Sequence, residues 1–163
     1  MDSPNDPLPG GQEYERSSQS LTKWISITSR ITQMYLNKQL EPYGLNASQH
    51  MFVMEACRRP GITQDKLPER VHINKSNVTR ALVQLEQAGF IVRRANTKDK
   101  RTTRVYPTDK ARTVYPALVE IIGTWNSILA GNLSLEEKSL FHDLITRVAH
   151  TALGFVTNDD KNR

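Results

Sequence analysis

The segment from Asn74 to Asp109 constrains the fold of this chain more than any other part of the sequence. Between Val78 and Leu85 apolar residues recur at helical spacing, and the residues between them are mostly polar or basic. The period then changes, because Phe90-Ile91-Val92 and Thr103-Arg104-Val105-Tyr106 are rich in β-branched and aromatic residues and flank a polar tip. The sequence therefore predicts an amphipathic helix followed by a β-hairpin.

Two further short helices are predicted before this segment. Asn46, with Gln49 three residues later, is placed to cap a helix that ends before Pro60-Gly61. Thr63 is placed to cap a second helix, from Gln64 to about Val71. After a tight link, Asn74 is placed to cap the amphipathic helix, which Gly89 closes. This order matches a helix-turn-helix followed by a wing, and is typical of DNA-binding proteins.

The positive charge of the chain is concentrated in the same region. The chain has a formal charge of +5, but the stretch from Lys75 to Arg112 has ten basic and three acidic residues, a net of +7. The remainder has 12 basic and 14 acidic residues, a net of −2. Such localised charge favours a polyanionic partner, although charge density alone also fits a solvated face that maintains solubility.

Long amphipathic helices are predicted on both sides of this region. The first extends from Ser18 to about Pro42, and Gly44 is its expected stop. Another extends from Asp109 to about Ala130, and a last one opens with the capping box Ser134-Leu135-Glu136-Glu137. These helices exceed what a compact DNA-binding module needs. We expect their apolar stripes to pack against a second copy of the chain, with an intrachain bundle as the alternative.

The expected fold class is mainly α with a small β-hairpin wing (α+β), a winged helix-turn-helix with long N- and C-terminal dimerisation helices. We expect a disordered tail over residues 1–17, an N-terminal dimerisation helix over 18–45 and a winged helix-turn-helix lobe over 46–108. The C-terminal dimerisation helices are expected over 109–156, followed by a disordered tail over 157–163.

Composition excludes several classes of protein. With 163 residues, no long apolar run and no signal-peptide pattern at the N-terminus, the chain is expected to be soluble and cytoplasmic, without a membrane partner. Its one cysteine, Cys57, excludes an intramolecular disulfide and zinc-finger motifs. The chain has no glycine-rich phosphate loop, no Gly-x-Ser-x-Gly and no His-Glu zinc motif, so we expect neither an enzyme nor a cofactor.

At this level of detail the sequence resembles the MarR family of bacterial transcriptional regulators. The resemblance covers residues 18–153 and rests on five motifs in a fixed order: Leu45-Asn46-Ala47-Ser48-Gln49, Ile62-Thr63-Gln64, Asn74-Lys75-Ser76-Asn77-Val78-Thr79-Arg80, Leu85-Glu86-Gln87-Ala88-Gly89-Phe90-Ile91, and Asp99-Lys100-Arg101 followed by Val105 and Thr108. The chain departs from the family at Pro107, usually leucine, and at Ala111, often glycine. The resemblance implies an obligate homodimer on a near-palindromic DNA operator, controlled by a small-molecule or redox signal.

Candidate DNA-binding residues lie on the predicted helix and on the wing. Five residues at the start of the helix can reach base edges or phosphates in the major groove: Lys75, Ser76, Asn77, Thr79 and Arg80. Of these, Asn77 and Arg80 are expected to contact bases. The resemblance implies that the wing tip enters the minor groove, with Arg101 as the candidate for that contact. The remaining wing candidates are Lys98, Asp99, Lys100 and Arg104, and Asp99 either pairs with Arg101 or is a plain turn residue.

Regulation is predicted with fewer constraints. The resemblance implies a pocket for a small phenolic or anionic effector. The candidate residues for its wall are Trp24, His50, Met54 and Tyr115. Ordinary packing of these four side chains in the core is the favoured alternative. The expected function is thus a repressor released by an effector. Alternatives are redox sensing through Cys57, which as a buried thiol would instead be inert, and a winged-helix module for protein contacts. His142 and His150 are too far apart in sequence to hold one metal ion by themselves.

Overall fold

The computed structural model describes residues 20–97 and 101–159, and side chains as far as Val156. The chain divides into two compact units, residues 1–35 and 36–163, and helix α1 contributes to both. The fold is mostly helical with one small antiparallel sheet, which confirms the predicted class. No helix in the described ranges has the length and apolar content needed to span a membrane.

Helix α1 (Leu21–Leu40) is followed by a 3₁₀ turn (Glu41–Tyr43) that ends at Gly44. Gly44 has a φ of 70°, a conformation that favours glycine, and its N–H bonds to the Glu41 carbonyl oxygen. The predicted stop is therefore confirmed. In the unit formed by residues 20–35, Leu21, Trp24 and Met34 are exposed.

Helix α2 (His50–Arg58) begins later than predicted, because Asn46 does not cap it. The Asn46 side chain instead accepts bonds from the N–H and the hydroxyl of Ser48, both within 3.0 Å, and forms a local turn. Its expected partner Gln49 donates its side-chain amide to Gln84 at 3.3 Å. The predicted capping box at this position is wrong, since both side chains are engaged elsewhere.

The next element is a two-residue strand, β1 (Ile62–Thr63), which the sequence pattern did not predict. It leads through a 3₁₀ turn (Gln64–Lys66) into helix α3 (Leu67–Val71). Thr63 occupies the predicted N-cap position of the 3₁₀ turn with an extended backbone, but its side chain makes no capping bond. The same residue ends strand β1, where it pairs with Arg104.

Helix α4 (Lys75–Gln87) follows the tight link at His72, whose φ is 52°. It ends as predicted before Gly89, which has a φ of 74°. Ala88 is exposed because the helix has already ended there. Val78, Leu82 and Leu85 are buried as expected.

Strands β2 (Ile91–Ala95) and β3 (Thr103–Pro107) form the predicted hairpin, and β3 lies in the centre of the sheet with the order β1-β3-β2. Pro107 is the last residue of β3 and pairs with Ile91, so the proline does not disturb the register of the hairpin.

Two long helices complete the chain, α5 (Asp109–Leu129) and α6 (Leu135–Asp159). Thr108 caps α5 by accepting a bond from the Ala111 N–H. The predicted capping box of α6 is confirmed, since Ser134 and Glu137 exchange bonds of 2.8 and 3.2 Å. Helix α6 continues through Gly154 to Asp159, beyond the predicted end.

The hydrophobic core lies in the unit formed by residues 36–163, where α2, α4, α5 and the sheet meet. Burial of a leucine or phenylalanine side chain contributes about 1.5–3 kcal/mol, so this cluster fixes the position of α4 and the hairpin. Its largest fully buried side chains are those of Phe52, Phe90, Leu40, Leu67, Leu82, Leu85, Ile91 and Leu118.

Candidate DNA-binding surface

Asn74 fixes the start of helix α4. Its backbone is extended, and its side-chain oxygen accepts bonds from the Asn77 N–H and the Ser76 hydroxyl, both at 3.0 Å. Such a cap satisfies one of the free N–H groups at a helix start and is worth about 1 kcal/mol. The predicted cap is confirmed, and it fixes where the exposed first turn of the helix begins.

The exposed side of α4 contains the five helix residues predicted to contact DNA: Lys75, Ser76, Asn77, Thr79 and Arg80. The Arg80 guanidinium donates to the Asn77 side-chain oxygen at 2.6 Å, so the two base-contact candidates are joined before any ligand binds. This bond orients the arginine along the helix while other N–H groups of its guanidinium can still donate. The structure thus brings together two side chains that suit bidentate contacts with bases.

Two glutamines hold α4 against the preceding elements. Gln64 donates to the Thr79 hydroxyl at 3.4 Å, and that hydroxyl bonds in turn to the Lys75 carbonyl oxygen. Gln49 bonds to Gln84 further along the helix. The role of these glutamines was missed by sequence reasoning, although the place of Gln64 directly after the predicted Thr63 cap could have indicated that it faces the next helix.

An ion pair connects the far end of α4 to the wing. Glu86 accepts bonds from the side chain of Arg93 at 2.7 and 2.9 Å and from its backbone N–H at 2.9 Å. These bonds lower the pKa of the Glu86 carboxyl, the side-chain bond having the largest effect. The carboxylate is therefore charged at neutral pH and ties the helix to strand β2.

Two hydrogen bonds join Asn96 to Thr102 across the wing. The Asn96 backbone N–H donates to the Thr102 carbonyl oxygen at 3.0 Å, and its side-chain amide donates to the Thr102 hydroxyl at 2.8 Å. Arg101 lies next to this pair and is exposed. The candidates Lys98, Asp99 and Lys100 lie outside the described residues. On strand β2, the Arg94 guanidinium lies 5.3 Å from the centre of the Tyr106 ring and adds an exposed cation to the hairpin.

Arg104 differs from the other DNA-binding candidates. It is half-buried on the central strand, and its guanidinium donates to the Gly61 carbonyl oxygen at 3.0 Å. Its side chain is thus directed toward strand β1. Sequence alone could not indicate this, since the pairing of β1 with β3 joins residues about forty positions apart.

Three of the four effector candidates lie in the unit formed by residues 36–163. His50 and Met54 are buried on α2, and the His50 ring nitrogen Nδ1 lies 2.8 Å from the Ala47 carbonyl oxygen. Burial lowers the pKa of His50, against the opposing effect of this bond. The Tyr115 hydroxyl accepts a bond from Arg58 at 3.3 Å. Trp24 lies in the other unit and is exposed there. Effector binding by all four stays a prediction.

Cys57 is half-buried near the end of α2. Burial raises the pKa of its thiol, and the nearby Arg112 guanidinium only partly opposes this shift. A raised pKa favours the thiol over the reactive thiolate. The environment of Cys57 therefore gives no support to redox sensing.

The described residues contain no cluster of three or more side chains suited to hold a metal ion. His150, considered with His142 in the sequence, instead has its ring centre 6.4 Å from that of His72.

Comparison with known proteins gives a consistent result. A model of the MarR family matches residues 45–103, which include α4 and part of the wing. The chain is 27% identical over 124 residues to the uncharacterized HTH-type transcriptional regulator YybA of Bacillus subtilis, covering 76% of this chain and 83% of that protein. The curated relatives are transcriptional regulators rather than enzymes.

Solved structures agree with this relationship. A MarR transcriptional regulator from Methanosarcina mazei is 28% identical, with a TM-score of 0.75 over 85% of this chain and 99% of that one. A MarR family regulator from Listeria monocytogenes, solved with a 26mer DNA, has the same fold at 21% identity, with a TM-score of 0.81 over 87% of this chain and 95% of that one. Together with the capped helix, the three-stranded sheet and the ordered sequence motifs, these similarities show that the chain has a winged-helix fold and is similar to transcriptional regulators of the MarR family.

Proposed function

We propose that this regulator binds a specific, near-palindromic DNA operator as a homodimer and represses transcription until a small-molecule effector releases it. The observation that carries the DNA-binding part is the exposed first turn of α4, in which Asn74 caps the helix and Asn77 orients Arg80. A helix start with free N–H groups and an oriented guanidinium suits the major groove, where base edges and phosphates lie close together.

The wing supports the same proposal. Arg94 and Arg101 are exposed on the hairpin, and the Glu86–Arg93 ion pair ties the hairpin to α4. A helix and a wing held in fixed relation can contact adjacent grooves of one duplex. We propose that α4 supplies base contacts and that the wing, with Lys98, Lys100 and Arg101, supplies contacts to the minor groove and phosphates. In this proposal the Asp99 carboxylate orients the Arg101 guanidinium. Arg104 supports the wing from the side of strand β1, where it bonds to the Gly61 carbonyl oxygen.

Homodimer formation is proposed from the exposed apolar side chains of the long helices. On α6, Leu140 is 59% exposed, Phe141 55% and Leu144 45%, and Ile145 and Val148 extend the same stripe. A stripe of this length on one helix face is typical of an interface between subunits. Its exposure in the single chain favours a second copy over an intrachain bundle. The proposed dimerisation regions are residues 18–45 and 109–156, on either side of the DNA-binding lobe over 46–108.

We propose no catalytic activity and no cofactor for this protein, and we expect it to act in the cytoplasm, where the DNA is. The buried His50 gives a specific test of effector release. Its pKa is lowered by burial and its Nδ1 lies against the Ala47 carbonyl oxygen, so Nε2 of the neutral ring is an acceptor that suits the hydroxyl group of a phenolic compound.

The direct test is binding of the purified protein to DNA from upstream of its own gene, measured by fluorescence anisotropy at fixed salt. Arg80→Ala and Asn77→Ala should each weaken binding by roughly tenfold, because a good base contact is worth about 1–3 kcal/mol. Lys38→Ala, which removes an exposed cation on α1, is the control and should bind as the wild type does. Equal affinity of all four proteins would contradict the assignment of α4. Phenolic acids added to the complex test the effector.

A further inference from the structure

A second cationic feature lies beside the DNA-binding helix and is independent of its exposed face. Between the end of α2, strand β1 and helix α3 there is a cavity of about 390 Å³, within the size range of ligand sites. None of the residues that line it is acidic, and four are basic: Arg59, Lys66, Arg70 and Arg104. We propose that this cavity binds a phosphate-type oxyanion, either free in solution or on the DNA backbone.

A backbone hydrogen bond and the pairing of β1 with β3 hold one wall of the cavity. The Gly61 N–H bonds to the Val105 carbonyl oxygen at 2.8 Å, and Thr63 pairs with Arg104. Gly61 has a φ of +84°, and a Cβ there would come within 3.0 Å of the Tyr106 ring. Only glycine fits this close approach without strain, so the wall at Gly61 is held in a fixed position.

Two of the four cations are already positioned by protein partners. Arg104 donates one N–H to the Gly61 carbonyl oxygen at 3.0 Å, which holds the guanidinium at the wall and leaves its other N–H groups to donate. Arg59 forms an ion pair with Glu55, one turn earlier on α2. A guanidinium fixed by one bond loses less conformational entropy when it binds an oxyanion, and its planar fork matches phosphate oxygens.

The charge balance of the cavity also favours an anion. Glu55 neutralises Arg59, but Lys66, Arg70 and Arg104 share the cavity without a carboxylate among its lining residues. An oxyanion that enters this space therefore meets cationic side chains and no carboxylate among the lining residues. The polar lining and the exposure of Lys66 and Arg70 allow a small hydrated ion to enter.

The test uses inorganic phosphate and pyrophosphate with the full chain, without DNA, by isothermal titration calorimetry at constant ionic strength set with sodium chloride. We expect saturable binding at one site per chain, tighter for pyrophosphate. The double variant Lys66→Gln/Arg70→Gln should weaken binding at least tenfold, and the matched control Lys38→Gln should change it less than twofold. Circular dichroism and the unfolding midpoint without phosphate verify that each variant folds.

Absence of saturable binding by the wild type would overturn the proposal, and so would equal binding by the folded double variant. The source of the oxyanion follows from a second arm with nonspecific duplex DNA. If a DNA phosphate occupies the cavity, pyrophosphate competes with DNA and the double variant has a smaller salt dependence, by about 0.9 in the logarithmic slope per lost contact. If the oxyanion is free, the variant binds DNA with the wild-type slope. Because the calorimetry contains no DNA, failure of the proposed DNA binding would leave this result unaffected.

Discussion

Asn77 and Arg80 show what can be predicted at the scale of single residues. Their exposure on α4 and the cap at Asn74 follow from local sequence, because capping and helix periodicity depend on residues a few positions apart. The cap predicted at Asn46 is wrong, because its side chain bonds to the neighbouring Ser48 instead. Thr63 has the predicted N-cap position but makes no side-chain capping bond.

The substitution Arg101→Ala tests whether the wing contacts DNA. An arginine in a narrow minor groove is favoured by the enhanced negative potential there, so its loss should weaken specific DNA binding by roughly tenfold. Gel-shift titration at one moderate salt concentration measures the effect, and analytical ultracentrifugation verifies that the oligomeric state is unchanged. Wild-type affinity in the variant would show that Arg101 does not contact DNA.

His50 predicts a pH dependence of stability. Burial lowers its pKa in the folded protein, so the unfolded chain binds the proton more readily. The stabilising contribution is complete above the ordinary histidine pKa of about 6.5 and is lost as the pH falls from there through the lowered pKa. Chemical denaturation between pH 7.5 and 5 should show this loss, and His50→Gln should have a smaller decrease. Parallel pH profiles for the two proteins would exclude His50 as the cause.

At the scale of elements, the long helices and the hairpin were predictable because their patterns repeat over many residues. Strand β1 was not, since two residues carry no periodic signal and the strand exists only through its pairing with β3. The direction of Arg104 depends on the same pairing. Elements defined by long-range contacts therefore accounted for most of what the sequence did not predict.

The ion pair between Glu86 on α4 and Arg93 on β2 is expected to stabilise the folded protein. Glu86→Gln removes the charge that accepts three bonds from Arg93, and should lower the free energy of unfolding at pH 7 by about 1 kcal/mol, since the pair is partly exposed. The pKa of Glu86 is lowered by folding, so its contribution is present above the ordinary pKa of about 4.3 and is lost as the pH falls below it.

Urea denaturation of both proteins at pH 7 and at pH 3 tests this expectation. The difference in unfolding free energy should be present at pH 7 and should decrease at pH 3. A difference of the same size at both values would indicate that the substitution acts through packing instead of charge.

For the whole molecule, the central structural expectation is the dimer. The stripe of Leu140, Leu144 and Val148 on α6 is exposed in the single chain, although apolar periodicity marked these residues as packed. Apolar periodicity predicts that the stripe packs but does not identify a partner, because periodicity indicates which face is expected to be buried and not what covers it.

Leu144→Glu should therefore convert the proposed dimer into monomers, since a carboxylate would be placed in an apolar interface. Size-exclusion chromatography with light scattering measures the mass across a range of protein concentrations. Ser139→Glu adds the same charge on the opposite side of α6 and should leave the mass unchanged. A wild-type protein that is monomeric at micromolar concentration would remove the basis for this prediction.

Selection of DNA from a random duplex pool by the wild-type protein and by Arg80→Ala tests directly whether α4 contacts bases in a dimer. We expect the wild type to enrich an inverted repeat with half-site centres about one helical turn, or roughly 10 base pairs, apart. Arg80→Ala should lose preference at one position in each half-site and retain the spacing. If the wild type enriches no sequence above the starting pool, the claim that α4 contacts bases in a dimeric DNA-binding protein is contradicted.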